Sequence, residues 1–439
     1  MHQAGGYMQK FSYSLLVICV LFAHLPLYGS EDFPSATPAS VGFSDSGLER
    51  ISNITQALID TEKVPGTVTM VARYGKLIYS ESQGYADVEK KTSLSPHSIF
   101  RLMSMSKPVT SAAIVILHDD GLIDLDDPIK KYLPEFSVMN IYTANGLVPA
   151  AGDITIRQLL THTSGLTYAS LPGDVAEIYQ QENVFAITNR NFESTEAHVK
   201  RLAKLPLVAH PGSEWNYGES LGVLGRLVEV VSAQRLGEFL KQRLFNPLGM
   251  VDTAFYVAPK KEPRLTQLYE INSSRKISLA DPNNYGGSYL QPPLLEYGGA
   301  GLVGSPSDYM RFAQMLLSDG RWNGKQVISA SGVEMLMSNQ LPPAIQLKSG
   351  GILPPWPGVK FGFGFGGSVI IAKDTEEATG SVGEYCWGGW ANTFFWVDPE
   401  QELVGLAFTQ VISVSPDGPD LQVEFSAAVR SAIYEAIEH

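Results

Sequence analysis

Cysteine is nearly absent from this 439-residue sequence, and histidine is scarce. There are two cysteines, Cys19 and Cys386, and eight histidines, no two of which lie three to five residues apart. Because metal sites usually place His and Cys ligands at such short spacings, we expect no metal and no cofactor. If an N-terminal segment containing Cys19 is removed, no internal disulfide can form, and the fold must depend on its hydrophobic core. Cys386, between two aromatic residues and without a neighbouring histidine, is interpreted as a buried filler rather than a nucleophile.

The sequence also lacks clusters of lysine and arginine interleaved with aromatic residues. It has 32 Lys and Arg against 45 Asp and Glu, for a formal net charge of −13. This balance argues against nucleic acid or an anionic membrane as a main partner. With 44% hydrophobic residues, the chain can bury a large core. We therefore expect a folded protein that acts on a small molecule, with no stable membrane partner and no oligomeric state indicated.

Residues 1–30 have the layout of an export signal. Lys10 supplies a positive charge, residues 11–27 are mostly apolar, and residues 28–30 are a plausible cleavage region. The sequence thus predicts an exported protein, periplasmic or secreted. An uncleaved anchor is the weaker alternative because polar residues interrupt the apolar stretch. A lipoprotein modified at Cys19 is weaker still, because Ile18 is larger than the small residue that precedes such sites.

The pattern along the rest of the chain changes from mixed to helical and back to mixed. The first part has a capped amphipathic helix over 44–62 and strands at 67–73 and 76–83 joined by a turn. Mainly helical patterns follow from 104 to about 231, and then a Pro-, Gly- and Asn-rich excursion over 260–300. The last part has a helix capped at 305–308, strands at 361–371, 391–397 and 403–411, and a helix over 421–437. A helix and hairpin at one end, with strands and a helix at the other, predict that the two ends form one antiparallel sheet.

This organisation predicts an α+β fold. We expect an antiparallel sheet built from the N- and C-terminal segments with flanking helices, and an inserted, mainly helical domain. The predicted boundaries are 31–100 together with 260–439 for the α/β domain and 101–259 for the helical domain, with the active site in the cleft between them.

Ser104 and Lys107 form the most informative local pattern, Ser-x-x-Lys. Residues three apart lie on the same face of a helix, so the hydroxyl and the amine can come within hydrogen-bond distance. Pro108 is tolerated only in the first helical turn and therefore places the helix start near Ser104. Burial and the positive end of the helix dipole would both favour the neutral amine of Lys107, which could take a proton from Ser104.

The alternatives for this pattern are less specific. Ser104 could be a helix cap and Lys107 a surface lysine. The second Ser-x-x-Lys match, Ser273 to Lys276, lies in a polar stretch with no apolar helical run after it, and we interpret it as a solvated loop.

Two other features have structural interpretations. Residues 218–222 match the Gly-x-Ser-x-Gly elbow, but the only histidine after Ser220 is the terminal His439, and the residues around Ser220 favour a helix. His162 lies in a turn after a helix, where its ring is expected to satisfy backbone groups.

Several motifs in a fixed order resemble the serine β-lactamase-related, penicillin-binding-protein-like family, and the pattern is closest to the family VIII carboxylesterases. The matching segments are 100–110, 122–128, 161–166, Pro211-Gly212 with Tyr217, 298–302 and Trp387-Gly388-Gly389, and the similarity covers about residues 38–435. The resemblance implies the fold of class C β-lactamases.

The resemblance also implies roles for individual residues. Ser104 would be the nucleophile, Lys107 its base or proton partner, and Tyr217 a proton shuttle to the leaving group. Trp387, Gly388, Gly389 and Trp390 would form the oxyanion and substrate-binding element, with the N–H groups of Ser104 and Trp390 as the oxyanion hole.

Two departures from the family's β-lactamases bear on the substrate. The chain has Glu219 where they have an amide-reading asparagine, and Trp387 where they have a lysine that helps to hold a substrate carboxylate. The resemblance therefore implies a serine carboxylesterase for neutral small esters. The alternatives are a β-lactamase or D-alanyl-D-alanine carboxypeptidase, a related acyltransferase, and, from a different class, a catalytically silent binding protein of the same fold.

Overall fold

The computed structural model describes residues 1–2, 33–271, 275–347, 352–413 and 420–438. The predicted export signal, with its cleavage region, lies outside these residues. Phe33–His439 form one compact unit, so the division of this part into two domains stays a prediction. Of the helices in the described part of the chain, none combines the length and the apolar character needed to cross a membrane.

The largest sheet has eight antiparallel strands, and their order is β12-β13-β14-β15-β16-β1-β2-β3. The strands of the protein are β1 (Gly66–Arg73), β2 (Lys76–Asp87), β3 (Thr92–Ser93), β4 (Phe100–Arg101), β5 (Asn140–Thr143), β6 (Gly146–Pro149), β7 (Tyr269–Ile271), β8 (Ile277–Leu279), β9 (Val303–Gly304), β10 (Arg321–Trp322), β11 (Lys325–Gln326), β12 (Val359–Phe363), β13 (Ser368–Lys373), β14 (Tyr385–Gly388), β15 (Thr393–Asp398), β16 (Leu403–Phe408) and β17 (Val411–Ser413). Strand β1 lies between β16 and β2, so segments from both chain ends share this sheet, and the α+β fold is as predicted.

Helices lie on the sheet and fill the region between residues 106 and 248. They are α1 (Asp45–Asp60), α2 (Ser106–Asp119), α3 (Ile156–Leu160), α4 (Asp174–Gln181), α5 (Ala186–Asn189), α6 (Thr195–Leu202), α7 (Ser220–Ser232), α8 (Leu236–Leu240), α9 (Asn246–Leu248), α10 (Pro306–Leu317), α11 (Ala330–Met337) and α12 (Ala428–Glu435), with π-helical turns at Lys241–Phe245 and Gln422–Ala427. Helix α2 is buried from Ser106 to Leu117 and packs against α7 and α11. It is a central helix and not a surface one.

The predicted helix cap and hairpin turn of the N-terminal part are both present. The Ser44 hydroxyl accepts a hydrogen bond from the Gly47 N–H at 3.2 Å and caps α1. Tyr74 and Gly75 both have positive φ, +53° and +71°, which is the backbone of a tight hairpin turn between β1 and β2.

Three predicted segments near the C-terminal end are divided in the structure. Residues 361–371 form two strands, β12 and β13, which are antiparallel neighbours joined by a turn. Gly366 in that turn has φ +77°, and a Cβ there would lie 2.8 Å from the Lys107 carbonyl oxygen, so the turn packs directly on α2. Residues 403–411 contain β16 and the start of β17, and the closing helix begins with a π-helical turn before α12. Hydrophobicity alone did not distinguish these breaks.

Candidate active site

Ser104 lies in a short 3-10 turn, Met103–Met105, immediately before α2. The turn follows β4, which pairs with β9, and the Leu102 N–H donates to the Leu302 carbonyl oxygen at 3.0 Å. Met103 has φ +48°, a conformation that a side chain rarely adopts and that neighbouring structure must maintain. Ser104 is half-buried, and its N–H lies in the first helical turn, where the helix itself provides no acceptor.

Lys107 is fully buried beside Ser104. Its Nζ lies 3.0 Å from the Ser104 Oγ and donates to the Gly299 carbonyl oxygen at 2.7 Å. The ammonium also lies over the rings of Tyr217 and Tyr168, 4.6 and 5.5 Å from their centroids. The alternative of a surface lysine is therefore wrong, and the spacing of three residues gives the contact that it predicts.

Burial lowers the pKa of Lys107 to about 7, against a smaller opposing effect of the Glu219 carboxylate. The amine therefore exchanges its proton near neutral pH, which is the property a base for Ser104 needs. Burial also holds the pKa of His162 well below its ordinary value, so this neighbouring ring stays neutral.

Tyr217 approaches Ser104 from the loop before α7. Its hydroxyl donates to the Ser104 Oγ at 2.9 Å, and burial raises its pKa, so it is a neutral phenol at neutral pH. The ring packs against those of His162 at 4.7 Å and Trp387 at 5.6 Å, and the Asn216 N–H donates to the His162 carbonyl oxygen at 2.7 Å. These contacts hold the phenol at the serine.

His162 does not have the hydrogen bonds expected from sequence. It is fully buried with φ +56°, and neither ring nitrogen has a partner among the described residues. The ring packs between Tyr217 and Phe363, so its contribution to this turn is aromatic packing. The prediction that the ring satisfies backbone groups was wrong.

Ser220 is the serine of the Gly-x-Ser-x-Gly match at residues 218–222. It begins α7, as its neighbours predicted, and lies buried with its hydroxyl 2.9 Å from that of Ser164. No strand-to-helix elbow surrounds it. The geometry thus leaves Ser104 as the serine that meets an amine and a phenol.

The third element lies at the end of β14, an interior strand between β13 and β15. Trp387 is buried and Gly388 ends the strand. Gly389 begins a turn in which the Asn392 N–H donates to the Gly389 carbonyl oxygen at 2.9 Å, and this hydrogen bond leaves the Trp390 N–H outside the turn's own pairing. A Cβ at Gly389 would lie 2.4 Å from the Leu102 carbonyl oxygen, so only glycine lets the turn come this close to the segment that carries Ser104.

These elements border one cavity of about 390 Å³. Ser104, Tyr217 and the segment 387–390 line it, together with Tyr168, Tyr297, Ile352, Pro354, Trp356, Gln422 and Ser426. The lining is mostly aromatic and aliphatic. Glu219 is the only acidic or basic residue among the described residues that line it. No cluster of three or more His, Cys, Asp or Glu side chains in the described ranges could hold a metal ion.

Sequence reasoning did not assign four residues of this site a role. The Gly299 carbonyl oxygen accepts from Lys107, the Tyr297 hydroxyl donates to that of Tyr168 at 3.0 Å, and Glu219 lies buried at the start of α7. The glycine-rich run 298–301 and the tripeptide Tyr217-Gly218-Glu219 were visible in the sequence as signals. The contacts of Gly299 with Lys107 and of Tyr297 with Tyr168 join residues more than a hundred positions apart, and no local pattern reports that distance.

Comparisons with known proteins bear on the family and the fold of the chain. The beta-lactamase family profile matches residues 51–422. An uncharacterized protein of Mycobacterium tuberculosis is 32% identical over 381 residues, which are 84% of this chain and 90% of its own length. Esterase EstB of Burkholderia gladioli is 29% identical over 399 residues, 88% of this chain and 94% of its own.

A solved structure is also similar throughout. EstCE1, described as a hydrolase with promiscuous acyltransferase activity, superimposes with a TM-score of 0.75 at 26% identity, covering 89% of this chain and 99% of its own. The similarity therefore extends over most of this chain and nearly all of the other.

Proposed function

The chain belongs to the beta-lactamase family and is a serine hydrolase, and from this premise we propose that it is a carboxylesterase that hydrolyses neutral small esters through an acyl-enzyme on Ser104. The observation that carries the proposal is the contact of one serine oxygen with both Lys107 and Tyr217, at 3.0 and 2.9 Å, on the wall of a mostly apolar cavity. A nucleophile with a base and a second proton-transfer group in reach is the arrangement that acyl transfer needs.

The reaction proceeds in two steps in this proposal. The Ser104 Oγ attacks the ester carbonyl carbon while its proton passes to the Lys107 Nζ, and the N–H groups of Ser104 and Trp390 stabilise the oxyanion. The carbon–oxygen bond to the alcohol then breaks, and the alcohol oxygen takes a proton delivered through Tyr217. A water molecule attacks the acyl-enzyme, gives up a proton to the same groups and releases the acid and Ser104.

Two side chains support a neutral substrate. Trp387 occupies the strand position where β-lactam-processing relatives have a lysine, so a substrate carboxylate would lose a charge-assisted hydrogen bond worth about 1.5–3 kcal/mol. Glu219 lines the cavity as a carboxylate and repels an anionic substrate. Aromatic and aliphatic lining favours an ester whose acyl or alcohol part is apolar.

A related acyl transfer is the second candidate, and the similarity to EstCE1, described as a hydrolase with promiscuous acyltransferase activity, favours it. The acyl-enzyme would be the same, and an alcohol would take the place of water. A β-lactamase or D-alanyl-D-alanine carboxypeptidase would also use Ser104 and would differ only in substrate. Export of the protein remains our proposal from the N-terminal sequence.

Paired rate measurements test the proposal. Hydrolysis of p-nitrophenyl butyrate and of a chromogenic cephalosporin is measured with the wild-type protein, with Ser104→Ala and with the control Ser220→Ala. Ester hydrolysis that is lost in Ser104→Ala, retained in Ser220→Ala and faster than cephalosporin cleavage is the expected result.

The other outcomes of these measurements would contradict the mechanism or favour one of the alternative functions. Ester hydrolysis that survives in Ser104→Ala would contradict the mechanism, and a dominant cephalosporin rate would favour a β-lactamase. Addition of a primary alcohol distinguishes acyl transfer, because a transferase forms the new ester at the expense of the free acid.

A further inference from the structure

Glu219 is a buried carboxylate that the proposed mechanism does not use. It is fully buried at the start of α7, two residues after Tyr217, and it borders the same cavity as Ser104. Its Oε2 lies 3.4 Å from the His198 Nε2, whereas its Oε1 has no hydrogen-bond partner among the described residues. An acidic side chain placed in this way needs a compensating partner or a function, because burial of an unpaired charge is costly.

His198 provides part of that compensation. It lies between two carboxylates, with its Nδ1 3.0 Å from the Glu193 Oε1 and its Nε2 toward Glu219. Although burial opposes it, these carboxylates raise the pKa of His198 to about 9, so the ring is a cation at neutral pH. Glu193 is more exposed than Glu219 and also pairs with Arg201. Glu193 is thus shared between His198 and Arg201, whereas Glu219 borders the cavity.

Three tyrosines are also affected by Glu219, and one of them contacts Lys107. Burial and the Glu219 charge together hold the pKa values of Tyr297 and Tyr168 well above normal, and they raise that of Tyr179 as well. Tyr168 in turn lies below the Lys107 ammonium and meets Tyr297 through a hydroxyl–hydroxyl hydrogen bond. These three phenols remain neutral, so Glu219 is the anion on this side of Lys107.

The groups that contact Lys107 carry no full charge. Tyr168 and Tyr217 lie under it as neutral rings, the nearby His162 is neutral, the Gly299 carbonyl oxygen accepts a hydrogen bond from its Nζ, and Ser104 is its reaction partner. The charge that acts on Lys107 from beyond these groups is that of Glu219. Its effect on Lys107 opposes that of burial.

We propose that Glu219 is a positioning residue of this site, a carboxylate paired with His198 that stabilises the proton that Lys107 takes from Ser104. The proton moves from the Ser104 Oγ to the Lys107 Nζ as the serine oxygen bonds to the ester carbon, and Glu219 acts through Lys107 and not on the reacting atoms. A lysine buried without this anion would be a weaker base. The proposal rests on the proposed function, since it assigns Glu219 a part in the reaction at Ser104.

The test is the pH dependence of kcat/KM for p-nitrophenyl butyrate from about pH 5 to 9, where a lysine with a pKa near 7 produces an acid limb. Glu219→Gln keeps the size of the side chain and removes its charge, and we expect the acid-limb pKa to fall by about 0.5 unit or more. Glu219→Asp keeps the charge and should return the limb toward the wild-type position. Glu193→Gln is the matched control, because it also removes a carboxylate from His198 but is not a charge that acts on Lys107, and its acid limb should not move.

Loss of folding in the single variant does not prevent the test. The double variant Glu219→Gln/His198→Gln replaces a buried ion pair by two neutral amides, which proteins tolerate better than one unpaired charge, and it should show the same downward shift. An acid limb in the wild-type position in a folded Glu219→Gln or double variant overturns the proposal, as does an equal shift in Glu193→Gln. Failure of the proposed function is seen separately, as ester hydrolysis that does not depend on Ser104.

Discussion

At the scale of single residues, the site depends on a basic side chain that is buried away from solvent. Lys107 is buried among tyrosine rings and keeps a pKa near 7 only because burial outweighs the anion behind it. Tyr217, buried in the same place, shifts in the opposite direction and keeps its proton. Burial favours the neutral form of both groups, so an amine becomes a usable base and a phenol a usable proton donor.

The first prediction at this scale is an activity profile. We expect kcat/KM for a neutral ester to rise with pH through about 7, because below this value Lys107 already carries a proton and cannot accept another from Ser104. Tyr217 adds no loss in the neutral range, since its pKa is raised above normal. Rates measured in buffers of constant ionic strength, with Ser104→Ala as the background, check this. A wild-type profile that is flat across neutral pH would contradict the assignment of Lys107 as the base.

Trp387 allows a second prediction, about substrate charge. Its ring packs perpendicular to Phe363 at 5.4 Å and beside Tyr217. Trp387→Lys places a cation at this position, and we expect the ratio of cephalosporin to ester kcat/KM to rise about 10- to 150-fold, the equivalent of one charge-assisted hydrogen bond of about 1.5–3 kcal/mol.

Trp387→Phe is the control for lost packing, because it keeps an aromatic ring without adding charge and should leave that ratio unchanged. Circular dichroism shows whether each variant is folded. An unchanged ratio in folded Trp387→Lys would mean that this position does not select the substrate.

At the scale of elements, the site forms where the starts of two helices meet the end of one strand. The turn before α2 brings Ser104, the loop before α7 brings Tyr217, and the turn between β14 and β15 brings the Trp390 N–H. Glycines allow these elements to touch. Gly389 lies against the Leu102 carbonyl oxygen, and Gly366 lies against that of Lys107.

The prediction at this scale concerns Gly389. A Cβ there would lie 2.4 Å from the Leu102 carbonyl oxygen and 2.5 Å from the Thr393 Oγ1. In Gly389→Ala the turn must therefore move away from Ser104, and we expect kcat to fall at least about tenfold and the free energy of unfolding to fall by about 1–3 kcal/mol. Ester kinetics and urea denaturation measure these two losses.

Gly388→Ala is the neighbouring comparison for this prediction. Its Cβ would meet a Phe394 ring carbon at 3.1 Å, a looser contact with a side chain. Both losses should be smaller there. Equal kinetic losses in the two variants would show that the approach of Gly389 to Leu102 is not what positions the turn.

At the scale of the whole molecule, segments from the N-terminal and C-terminal parts of the chain share one sheet and pack their helices together. The Ser44 N–H donates to the Ala436 carbonyl oxygen at 2.8 Å, and α1 packs against α12. Arg430 of α12 binds Glu384 through two hydrogen bonds, at 2.8 and 2.6 Å, and both side chains are buried. The guanidinium also lies 3.7 Å from the centroid of Trp356, which lines the cavity. The C-terminal helix thus supports a wall of the active site.

The prediction at this scale is a stability difference. Arg430→Met leaves the Glu384 carboxylate buried and without its cation, and we expect the free energy of unfolding to fall by about 3–5 kcal/mol. The double variant Arg430→Met/Glu384→Gln removes both charges and should lose less. Equilibrium urea unfolding of the three proteins provides the comparison, and a single variant as stable as the wild type would contradict it.

The sequence by itself determined the features that depend on near neighbours. The Ser104–Lys107 contact follows from the three-residue spacing on a helix, the hairpin from Tyr74-Gly75, and the caps of α1 and α10 from Ser44 and Ser305. The α+β fold followed from the order of these local signals along the chain. Tyr217 could be placed only through the resemblance of its motif, because it lies 113 residues from Ser104.

Only the tertiary structure decided the charges and contacts around the nucleophile. The Gly299 carbonyl oxygen at Lys107, the missing hydrogen bonds of His162, and the burial of Glu219 beside His198 all come from segments far apart in the chain. Local spacing sets which side chains share a helix face, but burial and a pKa depend on everything that packs around a group. Those surroundings exist only once distant segments have folded together.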